Sequence, residues 1–539
     1  MSKSTVVRGA FLLTGASFLS KFLGMIYVIP FNAMVGEQGG ALYTYAYIPY
    51  SILITFATVG IPLAVSKFVS KYNALGDYYT GMRMFKTGMV IMAFTGIIAF
   101  LGLFFGAEFL AKRIIVDDEL NNSVEDVTMV IRMVSFALIV TPSMSIFRGF
   151  FQGNQSMGPT AVSQVVEQVI RIIFLLVATF LILNVFNGST NLAVGFATFA
   201  AFIGAIGSYL VLLLYWKKRK GHINRHIEQQ RYVHDIPKKE LMKELFRYAG
   251  PFVIVSAAIP IIQLVDTFTF NRGMVAIGQG EISETLLAAI NFTGNKLVII
   301  PVTIATGLSL AVMPVITSAY TQGQRQQLIN QINQALQIIL VLVIPASFGL
   351  SMLANEAYGS LFGMTNLDQT GALLRWNAPV GILFALLGVT ASILQGINQQ
   401  NYAVVNLLAG IAFKVLCNIQ LIHMFGAKGS IIATAIALGI TVTLNMLRIK
   451  RAIDFPFKQI IKRTMLVGIF VIIMGIVISL VKLLVGLIFP YEATRIGLII
   501  MLLIGVTSGG FVYLWFAFKS TLLERVFGEK VRKLERVFR

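Results

Sequence analysis

The feature of this sequence that most constrains its fold is a long series of apolar stretches separated by short polar segments. Each stretch is close to the roughly 20 residues with which an α-helix crosses the hydrocarbon core of a membrane. Because backbone polar groups must be satisfied internally in lipid, the predicted fold class is an all-α polytopic membrane protein. We predict about fourteen transmembrane helices, at residues 9–32, 45–66, 87–108, 127–147, 161–184, 193–216, 250–271, 286–313, 336–356, 371–393, 403–423, 429–447, 464–488 and 495–518.

The composition excludes a soluble enzyme. Charged residues make up 12% and hydrophobic residues 57% of the 539 residues, whereas a soluble domain carries about 25% charge. The first span is too long, and with Ser17, Ser20 and Lys21 too polar, for a cleaved signal peptide, so we expect it to remain as a helix. The single Cys417 excludes a disulfide framework and a cysteine-based metal site.

The distribution of basic residues predicts the orientation in the membrane. The chain carries 43 Lys and Arg against 23 Asp and Glu, a net charge of +20. Most of these cations fall in the loops on the side that would hold both termini, and the positive-inside rule makes that side the cytoplasm. We expect residues 217–249 to form a basic cytoplasmic linker and residues 519–539 an amphipathic basic tail on the inner surface. Anionic inner-leaflet lipids are the expected partners of both segments.

A weak internal repeat predicts the domain organisation. The segment Gly60–Val65 resembles Gly307–Val312, and Gln152-Gly153 recurs as Gln395-Gly396 at a similar distance along the chain. An offset of six spans gives two lobes of the same orientation, the parallel-repeat design of secondary transporters with a substrate site between the lobes. The predicted regions are an N-terminal lobe at 1–216, the linker at 217–249, a C-terminal lobe at 250–449, two added helices at 450–518 and the tail at 519–539.

The motifs of common enzyme classes are missing from the sequence. It contains no phosphate-binding G-x-x-x-x-G-K-[ST] loop, no HExxH motif and only four His residues. We therefore expect a membrane transporter rather than an enzyme or an ATP-driven pump, with no metal site.

Charged residues inside the predicted spans are the informative candidates, because a charge at bilayer depth costs at least about 2.5–3.5 kcal/mol unless it meets a cavity or a partner. Cations outnumber anions there. The cations are Lys21, Arg132, Arg171, Lys296, Arg375 and Lys414, and the anions are Glu167 and Asp266, with Glu356 near an outer end. This excess predicts a cavity for an anionic headgroup and argues against a cavity for cationic drugs.

Several of these charges have a structural interpretation. Glu167 and Arg171 are four residues apart on one helix and would form an ion pair, which Arg132 could join. Asp266 would pair with Lys414, or alternatively help to hold a cation such as sodium or a proton.

Lys21 and Lys296 differ from these residues because no acidic residue lies near them in sequence. We predict that both contact the substrate in the cavity. The alternative is that they snorkel to the membrane surface or pair structurally. Arg272 is a third cationic candidate, and Asn295 would add a hydrogen bond.

Three sequence motifs carry a resemblance to a known family. They are SKFLG from Ser20 to Gly24, GIPLAVSKFVSK from Gly60 to Lys71, and RGFFQG from Arg148 to Gly153, continued by MGPTAVSQ and by Glu167, Gln168 and Arg171. Over nearly its whole length the chain resembles the MurJ-type lipid II flippases of the MOP superfamily of MATE and polysaccharide exporters. The similarity is highest to the Gram-positive YtgP/SpoVB-like branch.

The resemblance implies a function in peptidoglycan biosynthesis and cell shape. Such flippases move undecaprenyl-pyrophosphate-linked precursors from the inner to the outer leaflet of the bacterial cytoplasmic membrane, by alternating access through a cationic central cavity. The family's basic residues of the first and eighth spans correspond to Lys21 and to Lys296, five residues before Pro301. The resemblance implies no cofactor. The membrane potential is the expected driving force, and a monomer with cell-wall synthases as possible partners is expected.

The resemblance leaves ion coupling and the substrate open. Asp266 and Asn418 match positions at which some relatives bind sodium, but Lys414, one turn from Asn418, could supply the positive charge instead. Paralogues with the same motifs move other lipid-linked saccharides, such as teichoic acid, capsule or spore-cortex precursors. A MATE-like drug antiporter and a scaffold for cell-wall synthases are further alternatives.

Overall fold

A computed structural model describes residues 3–116, 120–230, 237, 239–240, 250 and 253–527. Much of the predicted linker 217–249 and the end of the predicted tail, 528–539, lie outside the described residues. The described chain is helical and contains no strand. It divides into two compact units, Met1–Asn271 and Arg272–Arg539. The two units are defined by how compactly each one packs, and this division does not test the internal repeat. The lobes at 1–216 and 250–449 therefore remain a prediction.

The first unit is built from nine described α-helices, of which the ninth continues into the second unit. They are α1 (Lys3–Ile26), α2 (Val28–Thr55), α3 (Ile61–Ala74), α4 (Tyr78–Ile114), α5 (Val124–Ser135), α6 (Ala137–Gly153), α7 (Met157–Phe180), α8 (Thr190–Glu228) and α9 (Ala258–Ala276). Two π-helical segments, Phe56–Gly60 and Leu181–Val185, interrupt or extend them.

The second unit contains eleven further described α-helices. They are α10 (Gly280–Ala288), α11 (Gly294–Thr321), α12 (Arg325–Met352), α13 (Ala354–Phe362), α14 (Leu367–Asn377), α15 (Val380–Gly396), α16 (Gln400–Phe425), α17 (Lys428–Ile453), α18 (Lys458–Ile488), α19 (Arg495–Lys519) and α20 (Leu522–Phe527). A π-helical segment, Ala289–Thr293, joins α10 to α11, and a 3-10 turn, Tyr491–Ala493, precedes α19.

The described part of the chain contains eleven helical segments long and apolar enough to cross a membrane, or twelve if a bent pair is one span. The eleven cover the third to sixth and the eighth to fourteenth predicted spans. The polytopic all-α fold is therefore confirmed, whereas the total of fourteen and the cytoplasmic termini remain predictions. The predicted seventh span, 250–271, includes residues outside those described.

The start of the chain agrees in part with the predicted spans. A loop was expected between spans 9–32 and 45–66. The range Val28–Thr55 consists of two helical pieces that meet at a non-helical residue, Gly36, and this break lies within the expected loop. Gly36 has φ 68° and ψ −173°, which a glycine adopts without steric penalty. The two helices Gly15–Ile26 and Val28–Thr55 meet at an angle of 40°. The helix is therefore interrupted twice, at residue 27 and at Gly36, and only the second interruption lies in the predicted loop.

Close helix packing explains the glycine of the RGFFQG motif. A Cβ atom on Gly149 would lie 2.4 Å from the carbonyl oxygen of Pro62, so α6 contacts the backbone of α3 directly. Small residues allow helices in a membrane to approach in this way. Phe150 of the motif packs against Phe85 and Trp216, whose ring centroids are 5.0 Å apart. The motif therefore fixes α3, α4 and α8 around α6.

Candidate functional site

Lys21 lies on α1, and its side chain is exposed on the first unit. The neighbouring residues of α1 anchor that helix to α7. Ser17 Oγ donates a hydrogen bond to Gln164 Oε1 at 3.1 Å, and a Cβ atom on Gly24 would lie 3.0 Å from Gln168 Nε2. Two of the sequence motifs thus pack against each other, which holds the backbone on either side of Lys21 in place.

Arg171 on α7 lies against a cluster of tyrosines from α2. Its Nη2 atom donates to the Tyr43 hydroxyl at 2.8 Å and its Nη1 atom to the Tyr47 hydroxyl at 3.2 Å. The guanidinium also lies 5.1 Å from the centre of the Tyr47 ring, within the range of a cation–π interaction. The hydroxyls of Tyr27 and Tyr43 are 3.2 Å apart, which extends the cluster to the end of α1. Phenol rings and hydroxyls therefore solvate this cation.

Glu167 pairs with Arg148 rather than with Arg171, which corrects the predicted ion pair within α7. The Arg148 Nη2 atom lies 2.6 Å from Glu167 Oε2 and also donates to Ser208 Oγ at 2.8 Å. Arg148 Nε donates to Ser163 Oγ at 3.0 Å. The physical reason is that Arg148 of α6 reaches Glu167, whereas one turn further along the same face of α7 the Arg171 guanidinium is bound by the tyrosines of α2. The network joins α6, α7 and α8.

Arg132 does not join this network, contrary to the prediction. Its Nε atom donates to the carbonyl oxygen of Phe104 at 3.4 Å, and its guanidinium lies 5.5 Å from the centre of the Phe104 ring. The capping box at the start of α5, formed by Ser123 and Asp126, fixes where that helix begins. Arg132, in the last turn, then faces α4 instead of α7.

Lys296, Asn295 and Arg272 belong to the second unit. Asn295 and Lys296 are half-buried near the start of α11, directly after the π-helical segment Ala289–Thr293. Within that segment Thr293 shares a hydrogen bond of 2.9 Å with the Tyr358 hydroxyl. Single π-helical turns in a helix are frequent at functional sites. The side chain of Arg272 is exposed.

Lys414 and Asn418 are both completely buried on α16. Lys414 Nζ donates to Thr434 Oγ1 on α17 at 2.6 Å, so a hydroxyl oxygen solvates the ammonium group. Asp266, which is 2% exposed, lies in the first unit. Its proposed pairing with Lys414 therefore remains a prediction. Among the residues that the structure describes, no three or more His, Cys, Asp or Glu side chains are grouped so as to hold a metal ion.

Sequence reasoning missed the roles of three residues in these arrangements. Arg148 was recognised in a motif but not as the partner of Glu167. Its position in the RGFFQG motif was the available signal. Tyr43 and Tyr47 are four residues apart and so share one face of α2, a pattern typical of residues that contact a common partner. A prediction of spans from hydropathy does not single out tyrosines, so it did not identify these two as partners of Arg171.

Comparison with known proteins gives the family. The model of the family described as "Polysaccharide biosynthesis protein" matches residues 6–320. The chain is 45% identical over 531 residues to the lipid II flippase MurJ of Bacillus subtilis (strain 168), covering 98% of both chains. This chain belongs to the polysaccharide biosynthesis protein family, in its MurJ branch. Its membership confirms the resemblance carried by the three motifs.

Solved structures show the same fold. A structure titled "Lipid II flippase MurJ, inward closed conformation" matches with a TM-score of 0.68 at 16% identity, covering 96% of this chain and 99% of the other. An inward-facing multidrug resistance MATE family transporter of the MOP superfamily matches with a TM-score of 0.64 at 14% identity, covering 80% and 94%. The relative that is 45% identical is a lipid II flippase, a transporter, so the prediction that the chain is a transporter and not an enzyme is confirmed.

Proposed function

We propose that this chain is a flippase that moves lipid II, an undecaprenyl-pyrophosphate-linked peptidoglycan precursor, from the inner to the outer leaflet of the bacterial cytoplasmic membrane. The observation that carries the proposal is the 45% identity to the lipid II flippase of Bacillus subtilis over 98% of both chains. Such a match supports a shared substrate more than the alternative lipid-linked saccharides. The surplus of interior cations supports an anionic cargo.

The chemistry of the cargo explains why a protein is needed. Moving a charged headgroup through hydrocarbon without compensation has an ideal Born cost of tens of kcal/mol. A wet cavity lined by cations would remove most of this cost, and the lipid tail would stay in the bilayer. In this proposal Lys21 and Lys296 attract the pyrophosphate by charge and donate hydrogen bonds to it, while Arg272 and Asn295 contact the remainder of the headgroup.

The membrane potential is the proposed driving force. An inside-negative potential favours outward movement of negative charge by about 2.3 kcal/mol per elementary charge per 100 mV. Lys414, which is fully buried and bonded to Thr434, would act as a fixed positive charge where relatives bind sodium. On this proposal export needs no sodium gradient. A proton ionophore together with potassium and valinomycin would abolish the membrane potential and therefore stop export.

The basic end of α8 supports a contact with anionic lipid. Residues 217–220, KKRK, continue as helix beyond the apolar part of α8, and three of the four side chains are exposed. Clustered Lys and Arg next to a membrane contribute about 1 kcal/mol each to binding an anionic surface. We include the inner-leaflet lipids as partners on this basis.

The proposal is tested by complementation in a bacterial strain depleted of its own lipid II flippase. We expect Lys21→Gln and Lys296→Gln to abolish growth rescue while both variants reach the membrane at normal levels. Lys21→Arg should retain activity, because charge and hydrogen-bond donors persist. The matched control is Lys112→Gln, whose lysine is exposed and pairs with Glu108 on the surface. Full rescue by both glutamine variants would contradict the roles assigned to Lys21 and Lys296.

A further inference from the structure

The groove between α1 and α7 in the first unit carries a row of polar side chains at membrane depth. The helical segment Met157–Val185 is long and apolar enough to span the membrane. Near its middle α7 presents four polar residues, Gln164, Glu167, Gln168 and Arg171. At about 100° per residue, these four lie within an arc of about 100° and so share one face of α7. The hydrogen bond from Ser17 shows that α1 packs against this face.

Three of these four side chains have partners within the fold, and Gln168 does not. Gln164 accepts a hydrogen bond from α1, Glu167 pairs with an arginine of α6, and Arg171 donates to tyrosines of α2. Gln168 is half-buried, and its side chain makes no hydrogen bond to any residue that the structure describes. Polar side chains are costly within a membrane and commonly mark a substrate pathway there. Packing therefore accounts for three of the four residues and leaves Gln168 available to a ligand.

Lys21 is the second side chain of this groove that has no partner. It is exposed, and within the described part of the chain it makes neither an ion pair nor a hydrogen bond. Gly24 lies three residues further along α1, and a Cβ atom there would lie 3.0 Å from Gln168 Nε2. Cβ atoms three residues apart on a helix are about 5–6 Å apart, so the Gln168 amide lies within about 9 Å of the Lys21 Cβ atom. Since the lysine side chain is long and flexible, one small ligand group can contact both residues.

These two side chains together select a particular ligand chemistry. The ammonium group of Lys21 attracts an anion and repels a cation, so neither a metal ion nor an organic cation suits the groove. A carboxamide has two N–H donors and an acceptor oxygen, so Gln168 suits an uncharged group that both donates and accepts hydrogen bonds. The complementary ligand therefore carries a phosphate close to such a group.

We propose that Gln168 is a substrate-binding residue, which recognises the acetamido group of a phosphate-linked sugar while Lys21 binds the phosphate. An acetamido group has one N–H donor and one carbonyl acceptor, and a carboxamide can pair with either. Charge alone does not distinguish phosphate-linked sugars from one another, whereas a site that hydrogen-bonds a substrate group rejects analogues without that group. Gln168 thus gives the chain selectivity among lipid-linked saccharides of equal charge. The inference rests on the proposed function, because it takes the cargo to be a lipid-linked saccharide.

The test compares two lipids that differ only in this group, undecaprenyl-pyrophosphate-N-acetylglucosamine and undecaprenyl-pyrophosphate-glucose. Binding of each lipid to the purified full-length protein in detergent micelles is measured by native mass spectrometry. We expect the unaltered chain to bind the acetamido lipid about fivefold more tightly, equivalent to about 1 kcal/mol. Gln168→Met keeps the length of the side chain but removes its hydrogen-bonding groups. This variant should lose the preference and bind the glucose lipid as the unaltered chain does.

Two further variants make the result specific to the groove. Gln331→Met changes a glutamine of α12 that is also half-buried and without a hydrogen bond to described residues, and it should keep the preference. Lys21→Gln should weaken the binding of both lipids equally, because the charge that it removes binds the phosphate that they share. An unchanged preference in Gln168→Met would overturn the inference. An equal loss of affinity for both lipids in that variant would also overturn it, and would assign Gln168 to packing alone.

Failure of this inference can be told apart from failure of the proposed function. If the chain rescues growth of a flippase-depleted strain but the unaltered protein shows no preference for the acetamido lipid, only the role of Gln168 is overturned. If the preference depends on Gln168 and the chain does not rescue growth, the binding site stands and lipid II is not the cargo.

Discussion

Arg148 and Glu167 form an ion pair of 2.6 Å that joins α6 to α7, with side-chain exposures of 15% and 27%. Arg148 also contacts Ser163 and Ser208, so its guanidinium lies at the meeting point of three helices. Removing one partner of a buried pair leaves the other charge without compensation and lowers stability. Replacing both partners by uncharged groups can leave stability almost unchanged. The pair should therefore show strong energetic coupling.

We predict that Glu167→Gln and Arg148→Met each lower the stability of the protein by about 1–3 kcal/mol, since the pair is only partly shielded from water. The double variant should be less destabilised than the sum of the two. A double-mutant cycle of chemical unfolding in detergent micelles measures this coupling. Strictly additive effects would show that the pair contributes nothing of its own.

The tyrosine cluster around Arg171 gives a second prediction. Tyr43→Phe removes the 2.8 Å acceptor of Arg171 Nη2 without changing the packing of the ring. We expect a loss of about 1–3 kcal/mol, because a charged donor remains in the membrane interior with one acceptor fewer. Tyr320→Phe, at a surface tyrosine that is 37% exposed, is the control and should have little effect. Equal effects of the two substitutions would exclude the hydroxyl contact as the cause.

The third prediction concerns Lys414. Thr434→Val keeps the shape of the side chain but removes the oxygen that accepts the hydrogen bond from Lys414 Nζ at 2.6 Å. Hydrogen bonds to charged groups contribute about 1.5–3 kcal/mol, so Thr434→Val should lower the melting temperature clearly. Thr434→Ser keeps the oxygen and should recover most of the loss. If valine and serine behave alike, the stabilisation of Lys414 comes from its other contacts.

Gly149 allows a test of motif packing. Gly149→Ala would place a Cβ atom 2.4 Å from the Pro62 carbonyl oxygen, so α3 and α6 would have to separate. Overpacking of this kind costs about 1–3 kcal/mol. Gly158→Ala, in the continuation of the same motif, meets no atom within 4 Å and should be tolerated. The relative yield and melting temperature of the two variants measure the difference.

The sequence predicted the helical spans well because the membrane itself imposes them. Any long apolar stretch must satisfy its backbone internally, so hydropathy is sufficient to locate α4 or α18. The polar residues Glu37 and Gln38 predicted a loop near Gly36, but the structure reduces that loop to a kink between two helical pieces, and the bend at residue 27 was not predicted. A helix can nevertheless carry them when its packing or exposure accommodates their side chains.

The partners of interior charges could be predicted only in part. The sequence showed that Lys414 and Glu167 needed solvation, since charges are costly in a membrane. It did not identify Thr434 or Arg148 as their partners. Local spacing favoured Arg171 as the partner of Glu167, but the choice depends on which neighbouring helix places a charged or polar side chain beside each turn of α7. Those contacts join residues far apart in sequence, and periodicity carries no information about them.

The central claim is that Lys21 and Lys296 carry the headgroup of lipid II across the membrane. The most direct measurement is the amount of lipid II headgroup accessible at the outer face of cells depleted of their own flippase and supplied with this chain. We predict that the unaltered chain restores accessible lipid II, and that Lys21→Gln and Lys296→Gln leave it at the depleted level while the inner pool accumulates. Restoration of outer-face lipid II by both variants would contradict the account.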